Sequence, residues 1–182
     1  MDEPHAPRAL PLPEGFLPPD CAFSGQDWTA LARQWFPVAR VDAVAAKPRQ
    51  VSLLGLRLAI YRLPDGICIG RDLCPHRGLP LSAGRIEGDE LVCAYHGLRF
   101  GADGQCRKVP EKLAPKGTEC FSLTMFPAVE RHGLAWTCLI PGAEPAIPEV
   151  LPAMEAVAQD DGAAPSIERL ALNEYRRLFD AM

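Results

Sequence analysis

The sequence contains no apolar stretch near the ~18 residues that a membrane-spanning helix requires. Its best candidate, residues 51–63, is interrupted by Arg57 and Arg62. The first thirty residues lack the basic start and apolar core of a secretory signal. An excess of positive charge is missing too: 19 Lys and Arg stand against 23 Asp and Glu, a net of −4, without the basic footprint of a nucleic-acid binder. Histidine is scarce, with four in 182 residues. The seven cysteines are odd in number and scattered, which argues against a secreted disulfide scaffold and for reduced thiols or metal ligands. These absences leave a soluble, cytoplasmic globular protein as the expectation, long enough to bury its own core.

Proline is abundant where order is least expected. Six of the first twenty residues are proline and no periodicity accompanies them, so residues 1–24 read as a flexible or surface-draped arm. Ser24 or Asp27 can cap a short helix running to Trp35, with Trp28, Leu31 and Trp35 on one face and Pro37 ending it. Short strands then follow at 37–41, 50–54, 57–62, 67–72, 90–93, 98–101, 105–109, 120–126, 128–131 and 134–140. Gly55, Asp65-Gly66, Gly88-Asp89, Asp103-Gly104 and His132-Gly133 lie between them at hairpin offsets. That pattern predicts a mainly β, antiparallel sandwich or barrel over residues 25–145. Cys68, Cys120 and Cys138 fall in strand-like runs where thiols pack as small apolar groups, while Cys21 and Cys106 read as incidental. Residues 146–182 read as a linker and partial helical segment. A short helix is expected at 149–159, and Tyr175, Leu178, Phe179 and Met182 share one face of another that meets no stop signal.

Two segments carry the chemistry: Cys74-Pro75-His76-Arg77-Gly78 and Cys93-Ala94-Tyr95-His96-Gly97. Each offers one thiolate and one imidazole, and each contains a glycine that lets backbone approach a bound group closely. The turn expected at Gly88-Asp89 would set the two loops side by side. Two cysteines on one iron and two histidines on the other is the requirement of a Rieske-type 2Fe–2S cluster. Two ferric ions and two sulfides carry two positive charges, which two thiolates cancel. A neutral site accepts an electron more readily than the dianion four thiolates would make. Two alternatives stand beside this reading: buried cysteines with unrelated loop histidines, and a zinc site, although zinc favours Cys–Cys and His–His spacings within a segment.

The runs from Asp72 to Ser82 and from Leu91 to Phe100 resemble the Rieske domain of the Rieske non-haem iron, or ring-hydroxylating, oxygenases. Trp35-Phe36-Pro37-Val38-Ala39 and residues 103–110 agree with it. The resemblance implies a β sandwich with a small cluster-binding subdomain and short helices at the N- and C-terminal ends. It implies Cys74, His76, Cys93 and His96 as the ligands of the 2Fe–2S cluster. It further implies electrons received from a flavin or ferredoxin reductase and passed to a mononuclear Fe(II), usually across a subunit boundary of a homotrimer. Respiratory Rieske proteins carry an extra cysteine in each loop and a hydroxyl residue after the second His-Gly. Here Leu79, Tyr95 and Leu98 stand in those places, so a low potential for the family is expected.

The mononuclear site itself needs a 2-His-1-carboxylate triad. With His76 and His96 committed, His5 lies in the Pro-rich arm and His132 in a turn. The chain is therefore expected to lack catalytic residues of its own. The catalytic iron would belong to a domain continuing this chain or to a partner, where an aromatic or similar small molecule is hydroxylated or demethylated. The rival reading is a stand-alone Rieske ferredoxin-type carrier. Residues 71–112 hold seven Lys and Arg and six Asp and Glu, and Arg77 and Arg99 beside the loops are candidates to meet an acidic reductase.

Overall fold

Residue Ser24 accepts a hydrogen bond from the Asp27 N–H and so caps α1 (Gly25–Ala32). The helix stops three residues short of the expected end at Trp35. Trp35 instead packs with Leu134, Trp136 and Cys138. The computed structural model describes residues 12–19, 21–45, 47–113 and 117–147. The helices expected at 149–159 and near the C-terminus lie outside these residues. The described part of the N-terminal arm lies against the body: Leu12 and Phe16 are partly buried, and the Phe16 ring meets Trp28 edge-on at 5.8 Å. Among the described residues no helix is long and apolar enough to cross a membrane.

Among the described residues eleven short strands build three antiparallel sheets. The first sheet joins β1 (Phe36–Arg40), β11 (Leu134–Thr137) and β10 (Val129–Arg131), in that order. Pro37 is tolerated because β1 is an edge strand, and the pairing slips between Pro37 and Ala39. The second orders β2 (Arg49–Leu53), β3 (Leu56–Leu63), β4 (Gly66–Arg71) and β9 (Met125–Phe126). The third orders β5 (Arg85–Glu87), β6 (Glu90–Val92), β7 (Arg99–Phe100) and β8 (Cys106–Lys108). The expected mainly β sandwich is the fold observed.

The second sheet is the middle layer, which its sequence explains. Along β3, Leu56, Leu58 and Ile60 enter one core with Trp28, Phe36 and Ile69. The alternate residues Ala59, Tyr61 and Leu63 enter a second core with Leu91, Phe100 and Leu81. A strand buried on both faces loses the apolar–polar alternation and reads as a near-continuous apolar run. Fully burying such aliphatic side chains contributes roughly 1.5–3 kcal/mol each. The second core holds Cys74 and Cys93 beneath the third sheet, and that sheet with its loops forms the small subdomain.

Three sequence expectations need correction. β5 lies outside the expected strands, since Arg-Ile-Glu carries a single apolar residue and no readable alternation. The strand expected at 120–126 shrinks to Met125–Phe126, and Cys120 lies exposed in a 3-10 turn (Thr118–Cys120). Cys106 is not incidental but buried in the second core.

Candidate metal centre

The two Cys/His loops have one backbone form. In the first, the Cys74 N–H donates to the Leu79 carbonyl at 2.8 Å and the Gly78 N–H to the Cys74 carbonyl at 2.8 Å. In the second, the Cys93 N–H donates to the Leu98 carbonyl at 2.9 Å and the Gly97 N–H to the Cys93 carbonyl at 3.0 Å. Each turn closes through a left-handed glycine, Gly78 at φ 72° and Gly97 at φ 74°. A side chain there would be strained. The turns match residue for residue although His76 follows its cysteine by two positions and His96 by three.

Across the gap, like faces like. The Nδ1 atoms of His76 and His96 stand 3.1 Å apart, with ring centroids at 4.8 Å. Below them Cys74 and Cys93, both nearly fully buried, share a thiol hydrogen bond. That bond pushes the Cys74 thiol up and brings Cys93 down to about 6, because the proton kept by one sulfur stabilises a thiolate on the other. The N–H groups of His76 and Arg77 face Cys74 sulfur, and those of Tyr95 and His96 face Cys93 sulfur, each favouring negative charge there. The pair therefore releases one proton readily and a second only against repulsion, so a cation between the sulfurs is what would hold both as thiolates.

The donor set fits a dinuclear group better than a single ion. Among the described residues no three or more His, Cys, Asp or Glu side chains gather closely enough to hold a metal ion. A tetrahedral zinc ion needs four ligands at one point. Here the donors come as a thiol pair and an imidazole pair, which suits two irons with different ligands.

Several neighbours were invisible in the sequence. The Tyr95 ring lies over His96 with centroids 3.8 Å apart, and Phe121 meets His76 edge-on at 5.8 Å. Leu98 is wholly buried. Buried Asp72 accepts hydrogen bonds from both the N–H and the hydroxyl of Ser82. Arg99, one of the two candidates to meet an acidic reductase, is engaged with Glu87 and Glu90 across the third sheet. The hairpin register that brings them together is a three-dimensional fact. His132 sits in the β10–β11 turn at φ 55°, in the first sheet and away from the two loops.

The family model for the Rieske [2Fe-2S] domain matches residues 34–127. The dicamba O-demethylase oxygenase component of Stenotrophomonas maltophilia is 37% identical over 109 residues, 59% of this chain and 32% of that protein. A vanillate O-demethylase oxygenase subunit from Pseudomonas sp. (strain HR199 / DSM 7063) is 33% identical over 103 residues, 56% of this chain and 28% of that one. Among solved structures, dicamba monooxygenase bound to dicamba superposes with a TM-score of 0.59 at 37% identity, over 65% of this chain and 36% of the other. The chain thus spans about a third of the length of the curated relatives it matches.

Proposed function

The chain belongs to the Rieske [2Fe-2S] domain family, in the form carried by non-haem iron oxygenases, and from that membership we propose that it relays single electrons through a cluster held by Cys74, Cys93, His76 and His96. The observation carrying this reading is the meeting of thiol with thiol and imidazole with imidazole across two loops of one backbone form. Bound there, the cluster supplies a one-electron acceptor that is neutral when oxidised. The chain's residues supply the rest. Four backbone N–H groups stabilise charge on the cysteine sulfurs, and buried Leu81 and Leu98 keep water from that side. The half-exposed imidazoles at the tip form the edge through which electrons pass.

In this proposal the electrons come from a flavin or ferredoxin reductase. They leave for a mononuclear iron in a catalytic domain, in cis or in a neighbouring subunit of a trimer, where a small aromatic or similar molecule is hydroxylated or demethylated. Relatives that are oxygenase components of O-demethylases support this direction. The tip also has the makings of a docking face. Leu73 and Tyr95, two of the three large exposed apolar side chains among the described residues, flank it at 36% and 60% exposure. Arg77 is exposed in the first loop and makes no ion pair among the described residues.

Iron and acid-labile sulfide analysis of protein purified without oxygen tests the reading. About two of each per chain are expected. His96→Ala should lose the iron and the visible colour, and His132→Ala should keep both. Colourless, iron-free wild-type protein grown with ample iron would end the proposal.

A further inference from the structure

Asp72 is a carboxylate only 4% exposed, and among the described residues it has no cationic partner. Such a group is costly to bury unless donors meet its oxygens. Both are met by one residue: the Ser82 N–H reaches Oδ1 at 2.7 Å and the Ser82 hydroxyl donates to Oδ2 at 2.7 Å. The Asp72 N–H is tied in turn to the Arg57 carbonyl at 2.9 Å.

The topology shows why a clamp is needed at this place. The second Cys/His loop springs from the β6–β7 hairpin, and the Val92–Arg99 pairing closes its base. The first loop closes its own turn through the Cys74 N–H to the Leu79 carbonyl but has no strand pairing at its base. It leaves β4 in the middle sheet and returns into β5 in the third, so its two ends share no ladder. Asp72 and Ser82 stand ten residues apart at those two ends. Leu81 is fully buried beside them, but apolar packing sets the depth of a segment without fixing its direction. Two hydrogen bonds from one residue to one carboxylate fix both, and bonds to a charged acceptor are the stronger kind. No disulfide shares the task, since all seven cysteines are free.

We propose that Asp72 is a positioning residue, whose grip on Ser82 holds the first loop where Cys74 faces Cys93 and His76 faces His96. The inference rests on the reading of those four side chains as cluster ligands.

Hydrogen–deuterium exchange on the full chain, stripped of iron with a chelator, reads the clamp without the cluster. Asp72→Ala is expected to speed exchange over residues 73–82 by about tenfold or more while 90–100 stay near wild type. Asp72→Asn should restore protection, because its amide can accept from the Ser82 N–H and donate to the Ser82 oxygen. On iron-loaded protein, Asp72→Ala should change the visible circular dichroism per iron, and Asp72→Asn should return it to the wild-type band shape. Where Asp72→Ala does not accumulate folded, Ser82→Ala, which removes only the hydroxyl donor, carries the same two measurements. A wild-type band shape in the variant so used overturns the positioning role even if exchange rises, since a purely structural clamp would do that much. Should wild-type protein take up no iron, the cluster reading fails separately, and unchanged exchange over 73–82 is then the result that overturns the clamp.

Discussion

Tyr61 lies in the core beneath the candidate centre, 1% exposed, and among the described residues its hydroxyl has no hydrogen-bond partner. Burial, with repulsion from Cys68 and Asp103, pushes its ionisation far above the ordinary phenol range, so the group stays neutral. An unmet buried hydroxyl costs about 1–3 kcal/mol. Tyr61→Phe should therefore leave stability to urea unchanged or raise it by roughly 1 kcal/mol; a loss of that size would reveal a partner. The residue scale also bears on potential. Leu98, wholly buried, offers no hydroxyl at the end of the second loop, and Leu79 and Tyr95 leave no disulfide to bridge the two. Fewer donors to sulfur stabilise added charge less. The midpoint is expected in the lower part of the Rieske window of about −150 to +300 mV, and a voltammetric value above about +100 mV would count against this. At this scale the ligand motif is readable because it is local. The Asp72–Ser82 pair and the Arg99–Glu87 contact are not, because each joins residues from different strands or loops.

At the scale of elements, hairpins were readable wherever a glycine adopts positive φ: Gly55, Gly66, Gly88, Gly104 and Gly133 all do. Three-residue strands with one apolar member were not, and β5 is the example. Its neighbour Gly84 marks the place where the first loop presses on the third sheet. A Cβ there would stand 2.4 Å from the Val92 carbonyl oxygen and 2.9 Å from that of Leu81. Backbone on both sides cannot yield cheaply. Gly84→Ala should destabilise the fold by about 1–3 kcal/mol in chemical denaturation. Gly25→Ala, whose Cβ meets nothing within 4 Å, is the matched control and should be close to neutral.

At the scale of the whole molecule, charge is distributed by sheet and tip rather than by sign alone. Arg99 is spent holding Glu87 and Glu90, and Arg62 ties Glu130 of β10 to the middle sheet at 3.0 Å. Arg77 is exposed at the tip and makes none of these ion pairs. If an acidic reductase docks at the tip, Arg77→Glu should slow stopped-flow reduction by that partner about tenfold, with a weaker dependence on salt, because steering charges act mainly on association. Arg62→Glu should leave the reduction rate unaltered, and equal rates for Arg77→Glu and wild type would place the docking face elsewhere.

By itself the sequence determined the β class and most hairpins, and it singled out the four Cys and His side chains as candidate ligands, because turn chemistry and ligand spacing act over a few neighbouring residues. Only the tertiary structure decided how the loops face each other, that Arg99 is occupied, and that buried Asp72 meets Ser82 at the ends of the first loop. Those depend on which distant segments share a sheet, and no local pattern records that.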